Sequence, residues 1–341
     1  MRKKQFFSVL VLLFVITSFP VTVCASNVDS SLNEQIIDHF DYPITINSPN
    51  WFDYSVLEKV EMLKIPKSVL HKMSDDALLR AVAEYPYLCD IYLYGDSVDN
   101  GIDVSSSYFS ALKELQSRDT SSTTLLNNAI NIINEYSSGA QNTYETNSTH
   151  NTFVTYALAD IINSLNNSYR IVYDNSVSTW TLDSTSFDYL LLPETHTTAE
   201  HDEGDEEIEK TYGVTCISRG SCQYNCHSYA WYSRSTTNKY WISDPSPFME
   251  SGDYTCISRP GLGTAANSTS IKYGDIIFYG DLNGNIETWH SAVYRSNSTT
   301  GNPIAEQLCR SKWGQYGVFE HKLANVPAAY DTSNISAWRA E

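Results

Sequence analysis

The sequence has few basic residues for its length. Of its 341 residues, 22 are Lys or Arg and 40 are Asp or Glu, which gives a formal net charge of −18 at pH 7. A surface with this balance repels other polyanions, so the composition argues against binding of nucleic acid or of anionic membrane surfaces by charge. The sequence also lacks an internal repeat of regular period, which argues against solenoids and propellers.

Long apolar runs are scarce as well, and the clearest one stands at the N-terminus. The charged start Met1–Lys4 is followed by the apolar stretch Phe6–Phe19 and then by Val23-Cys24-Ala25. This order is typical of a secretory signal peptide over residues 1–25, cleaved after Ala25. The run is shorter than a membrane span needs. We therefore expect a secreted, extracellular or wall-associated protein without stable membrane insertion.

Cysteines are few but informative. Six of them follow residue 25, namely Cys89, Cys216, Cys222, Cys226, Cys256 and Cys309. An even number in an oxidising compartment favours disulfides. If Cys226 is a free thiol, five cysteines remain and at least one other is also unpaired. The sequence leaves both arrangements open.

Residues 26–192 have mainly helical patterns, and their role is unknown. Ser74 is a helix-capping residue placed before an apolar stripe that extends to Val82. Thr124–Tyr136 and Phe153–Leu165 show the same helical spacing of apolar residues. We predict at least three helices in this region.

Residues 193–210 change character. Eight acidic residues occur in this stretch with almost no apolar ones: Glu194, Glu200, Asp202, Glu203, Asp205, Glu206, Glu207 and Glu209. Like charges repel and little apolar surface is available for burial, which predicts a solvated linker between two domains. A calcium loop is the alternative, but its alternating oxygen ligands are missing from the pattern.

The second predicted domain, residues 211–341, contains the most suggestive cysteine. Small and aromatic residues follow Cys226 without a helix breaker as far as Tyr232. This pattern predicts a short buried helix that begins at or near Cys226. A thiol at a helix N-terminus has a lowered pKa, and the free backbone amides there can bind an oxyanion.

A hairpin pattern follows further along the chain. Gly274–Gly280 is an apolar strand, Asp281–Asn285 is a turn, and His290 begins a second apolar strand. A histidine at that position can accept the thiol proton and return it to a leaving group.

These motifs resemble the papain-like cysteine hydrolases of the NlpC and CHAP type over about residues 211–325. The matching segments are Asn225–Ala230, Gly274–Tyr279 and His290–Tyr294. The resemblance implies an α+β fold in which a helix packs on a small antiparallel sheet. It also implies a secreted thiol hydrolase of peptide or amide bonds, with bacterial cell-wall peptides (peptidoglycan) as substrate and acyl transfer as a variant. The alternative is an inactive exported surface or interaction protein of the same fold.

Members of this family orient the histidine with a third polar residue from the next strand. Here we favour Ser311, with Glu306 as the alternative. Tyr224 or Gln223 is expected to add a side-chain donor to the oxyanion site. We expect no cofactor.

A zinc site is the competing interpretation of the cysteines. Cys216, Cys222 and Cys226 with His227 have the right ligand types, but their spacing differs from that of paired Cys-x-x-Cys motifs. We therefore expect no metal, a structural or surface role for His227, and a solvated strand end at His321.

Overall fold

The computed structural model describes residues 36–118, 123–138, 148–165, 177–182, 185–190, 192–296 and 299–341. The predicted signal peptide lies outside these residues. In the part of the chain described, no helix is both long and apolar enough to cross a bilayer.

Helices dominate the chain up to residue 165. The helices predicted from Ser74 onward and around residues 124–136 and 153–165 are confirmed, and the Ser74 hydroxyl accepts a hydrogen bond from the Ala77 amide at 3.1 Å. The helices are α1 (Val56–Met62), α2 (Lys67–Leu70), α3 (Asp75–Ala83), α4 (Val98–Ser105), α5 (Ser110–Ser117), α6 (Thr123–Ser137) and α7 (Ser148–Leu165), with 3₁₀ turns at Trp51–Asp53 and Leu88–Tyr92.

Strands dominate the rest of the chain. The strands β1 (Val177–Leu182) and β2 (Thr185–Leu190) form a hairpin, and α8 (Thr198–Tyr212) follows. A second, seven-stranded sheet has the order β3-β8-β7-β6-β5-β9-β4, and all its neighbouring pairs are antiparallel. Its strands are β3 (Thr215–Ser218), β4 (Tyr254–Ser258), β5 (Ile276–Tyr279), β6 (His290–Tyr294), β7 (Leu308–Lys312), β8 (Val318–Lys322) and β9 (Ile335–Ala340).

Short helical segments complete this half: a π-helical turn at Ser228–Tyr232, α9 (Ser246–Glu250), and 3₁₀ turns at Ala266–Ser268, Ile286–Thr288 and Ile304–Glu306. Helices combined with an antiparallel sheet make the fold α+β, as predicted.

The helical region and the sheet share one hydrophobic core within the compact unit Ile36–Glu341. Trp51 and Tyr87 from the first half are buried in the same cluster as Trp313 and Tyr316 from the second. Polar contacts reinforce this packing. The Trp51 indole donates to the Thr211 carbonyl at 2.8 Å. The helical region is therefore part of the structure that supports the sheet.

The acidic stretch is a helix, so the prediction of a solvated linker over residues 193–210 is wrong. Helix α8 begins with a capping box, in which the Thr197 hydroxyl and the Glu200 carboxylate each accept a hydrogen bond from the other residue's amide. Ile208 and Tyr212 on this helix are buried in the shared core. Gly213 ends the helix in the left-handed conformation.

Backbone amides outside the helix bind two of the acidic side chains of α8. The buried Asp205 carboxylate accepts hydrogen bonds from the Gly220 amide at 2.8 Å and the Gly317 amide at 2.7 Å. The Glu209 carboxylate accepts one from the Cys216 amide at 2.6 Å. These donors satisfy charges that the local sequence leaves unpaired.

The helical state of this stretch can be tested by removing its cap. We expect Thr197→Ala to lower the free energy of unfolding by about 1 kcal/mol, because the Glu200 amide loses its acceptor. Thr198→Ala, one residue inside the helix and also exposed, is the matched control and should leave stability unchanged or slightly higher. Urea unfolding measures both variants. Identical stabilities for the two would contradict the capped helix.

Candidate active site

Cys226 lies at the start of a short helical segment that Asn225 caps. The Asn225 side-chain oxygen accepts a hydrogen bond from the Ser228 amide at 3.1 Å, and its amide group donates to the Ile242 carbonyl at 2.7 Å. The backbone carbonyl of Asn225 accepts from the Tyr229 amide at 2.9 Å. The helix therefore begins at Cys226, as predicted, and it continues as the π-helical turn.

The hairpin of β5 and β6 brings His290 into the same region. His290 pairs with Tyr279 at the first position of β6. Side chains alternate along a strand, so its neighbour Ser291 faces the Cys226 helix and accepts a hydrogen bond from the Trp231 indole at 2.8 Å. The His290 ring packs on the other side, stacked on Tyr330 with the ring centroids 4.2 Å apart.

A hydroxyl from the next strand holds the His290 ring. Ser311 Oγ lies 2.9 Å from His290 Nε2 and 2.8 Å from His321 Nε2, and it accepts a third hydrogen bond from the Trp313 indole at 2.8 Å. All four side chains are buried. Ser311 on β7, the residue predicted to orient His290, is therefore in contact with its ring.

The hydrogen bonds of this cluster determine which nitrogen of His290 carries the proton. His321 Nδ1 is 2.9 Å from the Lys322 carbonyl, which only accepts, so neutral His321 is protonated on Nδ1 and has a bare Nε2. Ser311 must then donate its one proton to His321. His290 must in turn donate to Ser311 from Nε2. This leaves Nδ1 of His290 unprotonated.

Burial keeps both histidines neutral. It lowers the pKa of His321 to about 4 and holds that of His290 well below its usual value, with nearby His321 and His227 adding to the effect. In the described part of the chain, His290 Nδ1 has no hydrogen-bond partner although it is inaccessible to solvent. An unpaired buried acceptor costs about 1–3 kcal/mol and calls for an explanation.

Cys226 is a free thiol, as are the other five cysteines after residue 25. Burial raises its pKa to about 11, although hydrogen bonds from the Ser291 and His227 amides and the nearby Lys312 favour the thiolate. The predicted lowering of this pKa by the helix N-terminus is therefore wrong, because desolvation outweighs the amides. The resting pair is a neutral thiol and a neutral imidazole.

Tyr330 links the two groups. It stacks on His290 and, with Cys226, lines a cavity of about 40 Å³. Because Nδ1 of His290 is without a partner, the sulfur is not hydrogen-bonded to it in this state. Catalytic hydrogen bonds are often long in unliganded enzymes and shorten when substrate binds.

The cavity beside Cys226 is narrow, and the helical region forms part of its wall. Leu93, Gly95 and Asp96 line it together with Cys226 and Trp289. Its volume holds only a few water molecules. The Tyr330 hydroxyl donates to the Leu93 carbonyl at 2.7 Å, which fastens this covering segment (residues 93–96) to the site.

Other residues predicted for the site lie elsewhere. Tyr224 is buried beneath the Lys312 ammonium, which is 4.9 Å from its ring centroid, and Gln223 lies in the preceding turn. Neither is among the described residues that line the cavity. Glu306 forms an exposed ion pair with Lys322 at 2.6 Å, and in the described part of the chain no hydrogen bond joins it to His290.

Of the two other histidines considered, His227 has the structural role that was predicted, whereas the prediction for His321 is wrong. His321 is buried in the Ser311 cluster and is not a solvated strand end. His227 is fully structural, with Nδ1 2.8 Å from Ser291 Oγ, and burial lowers its pKa to about 3. The alternation of polar and apolar residues in the β7–β8 hairpin could have indicated that His321 is buried. Tyr330 lies in a loop, and no sequence pattern indicated that it lies at the site.

The zinc set considered from the sequence is dispersed. Cys216 Sγ lies 3.8 Å from Asp205 and 3.4 Å from the Ser218 carbonyl, whereas His227 is bound to Ser291. The four residues therefore do not converge on one point.

Comparisons with known proteins give no match: no family matches the sequence, no characterised protein is significantly similar to it, and no solved structure is significantly similar to the fold.

The protonation state of His290 can be measured directly. Long-range ¹H–¹⁵N NMR of protein labelled in histidine should show a neutral ring protonated on Nε2. Ser311→Ala should shift this tautomer balance, because the acceptor that selects it is gone. Ser336→Ala is the matched control, since Ser336 also accepts from an indole two residues ahead, Trp338, without contacting a histidine. A ring protonated on Nδ1 in the unmodified protein would contradict the assignment.

Proposed function

We propose that this chain is a secreted thiol hydrolase of peptide or amide bonds, with Cys226 as nucleophile, His290 as base and Ser311 as a positioning residue. The observation that carries the proposal is the bare, unpartnered Nδ1 of His290, whose ring stacks on Tyr330, a residue that also lines the cavity beside Cys226. A general base needs an unprotonated nitrogen that is free to accept a proton. The hydrogen bonds of Ser311 and His321 select the tautomer of His290 that provides one.

The neutral pair defines how the reaction would begin. Cys226 Sγ attacks the substrate carbonyl carbon while its proton passes to His290 Nδ1. The resulting imidazolium returns that proton to the departing amine as the C–N bond breaks, which leaves a thioester on Cys226. Water, deprotonated by the same nitrogen, then hydrolyses the thioester. Ser311 holds the ring in place throughout.

Backbone amides supply the oxyanion site in this proposal. The amides of Ser291 and His227 hydrogen-bond the Cys226 sulfur and already favour negative charge there. They can stabilise an oxyanion that develops on the adjacent carbon. In this proposal the backbone amides take the role in the oxyanion site that was predicted for the side chains of Tyr224 and Gln223.

The substrate class rests on the resemblance to NlpC and CHAP hydrolases. The helix at Cys226 against an antiparallel sheet that contains His290 supports a papain-like arrangement of residues 211–341. Cell-wall stem peptides are the proposed substrates, and transfer of the acyl group to an amine is the variant. Residues 93–96 narrow the approach to the sulfur, and the cavity of about 40 Å³ beside Cys226 does not hold a peptide in this conformation.

The small volume of this cavity also supports a second candidate function. A protein whose thiol is buried, with a pKa near 11, fits an exported interaction protein that keeps a papain-like fold without its activity. The two candidates differ in whether Cys226 is ever acylated.

The hydrolase can be tested on peptidoglycan stem peptides. We expect hydrolysis by the mature chain to be abolished by Cys226→Ala and slowed about 10²–10⁴-fold by His290→Ala, because the base is lost. Glu306→Gln is the control and should retain activity, since Glu306 lies on the surface. Mass spectrometry of products and of any acyl-enzyme provides the measurement.

Four outcomes separate the candidates. Acylation of Cys226 followed by release of the acid supports the hydrolase, and release of a new amide supports the transferase. Full activity in Cys226→Ala would exclude this cysteine, and absence of both acylation and cleavage would favour the interaction protein.

A further inference from the structure

A second cluster of reactive groups lies outside the Cys226 site. One ring nitrogen each of His196 and His201 and the sulfur of Cys222 lie within 4.8 Å of one another. They come from three separate segments: the approach to α8, the first turn of α8, and the turn after β3. The Cys226 mechanism uses none of them.

The two histidines have unused nitrogens. Nδ1 of His196 and Nδ1 of His201 are both inaccessible to solvent and lack a hydrogen-bond partner in the described part of the chain. The His201 side chain as a whole is buried. Two orphan imidazole nitrogens beside a thiol are costly if nothing binds them, because each loses its hydration without compensation.

The surroundings fix the three groups in place. Glu194 lies 2.8 Å from His201 Nε2 and also accepts a hydrogen bond from the Cys222 amide at 3.1 Å. The Thr195 hydroxyl donates to the Cys222 sulfur at 3.3 Å. A carboxylate on the ring of a histidine and a hydrogen bond to a sulfur are the outer-shell contacts that orient metal ligands.

The cluster also opens to solvent. His196 and Cys222 line a pocket of about 380 Å³, much larger than the cavity beside Cys226. Acidic side chains, Asp160 and Glu200 among them, line its walls. A cation bound by the three groups would therefore have one coordination position facing the pocket.

We propose that His196, His201 and Cys222 form a binding site for Zn²⁺, with the fourth ligand supplied from the pocket. Two imidazoles and one thiolate are ligands that Zn²⁺ prefers, and three protein ligands with one open position are the usual set of an accessible zinc site. Tetrahedral bonds of about 2.0–2.3 Å place ligand atoms about 3.3–3.8 Å apart. The observed ligand atoms, within 4.8 Å of one another, are at most about 1 Å farther apart than the upper end of that range.

Two other interpretations fit less well. A second thiol dyad of Cys222 and His201, oriented by Glu194, would leave His196 without a role. A calcium site would require oxygen ligands in place of nitrogen and sulfur. The convergence of two histidines on one thiol is what favours zinc.

Binding can be tested in the full mature chain with Cys226→Ser, which keeps the result independent of the proposed hydrolase. We expect one Zn²⁺ per chain by competition with a chelating dye. Co²⁺ should produce the absorption band of a thiolate–cobalt bond. Cys222→Ser should abolish that band, and His196→Ala should weaken binding at least about tenfold. Glu194→Gln should weaken it about 10–100-fold through the orientation of His201.

Matched controls identify the site. Cys256→Ser removes a half-buried thiol elsewhere in the chain, and His71→Ala removes an exposed histidine, so both variants should bind metal as before. Absence of stoichiometric Zn²⁺ binding, or a cobalt–thiolate band that survives Cys222→Ser, would overturn the proposal. Rapid metal-independent alkylation of Cys222 that depends on His201 would overturn it in favour of the dyad.

Discussion

The hydroxyl of Ser311 has one proton and three hydrogen-bond partners, and the chemistry proposed for this protein depends on how that proton is shared. The Trp313 indole can only donate to it, and the Lys322 carbonyl forces His321 to accept from it. The remaining contact must therefore be donated by His290. A residue that never touches the substrate thus decides which nitrogen of the base is available.

This arrangement requires a rigid sheet, and the helical region contributes to that rigidity. The Gln315 amide, in the turn after β7, donates to the Tyr92 carbonyl at 3.2 Å, and Tyr330 is tied to Leu93. Gly314 in the same turn has a positive φ, and a Cβ there would lie 2.2 Å from the Tyr92 carbonyl oxygen. The close approach of the two halves therefore supports strands β6 and β7 and brings residues 93–96 beside Cys226.

Local patterns predicted those parts of the structure that are determined locally. The cap at Ser74, the hairpin before His290 and the helix start at Cys226 depend on neighbouring residues, and each is present. Helix α8 was missed because the partners of Asp205 come from Gly220 and Gly317, which composition cannot reveal.

The properties of the site that depend on burial could not be predicted from the sequence for the same reason. The pKa of Cys226 follows from the depth of its burial, which is a tertiary property, so the position at the helix end alone predicts the wrong direction of the pKa shift. The convergence of His196, His201 and Cys222 depends on the docking of α8 against the sheet. Their spacing in the sequence matches no metal motif.

Cooperation between Cys226 and His290 is the central claim, and the pH dependence of Cys226 alkylation tests it most directly. A thiol with a pKa of about 11 that reacts alone should be alkylated about tenfold faster for each pH unit up to pH 9, because the rate follows the thiolate fraction. The account predicts this slope in His290→Ala. In the unmodified protein it predicts a faster, nearly constant rate around neutral pH, because His290 accepts the proton. The same tenfold slope in both proteins would contradict it.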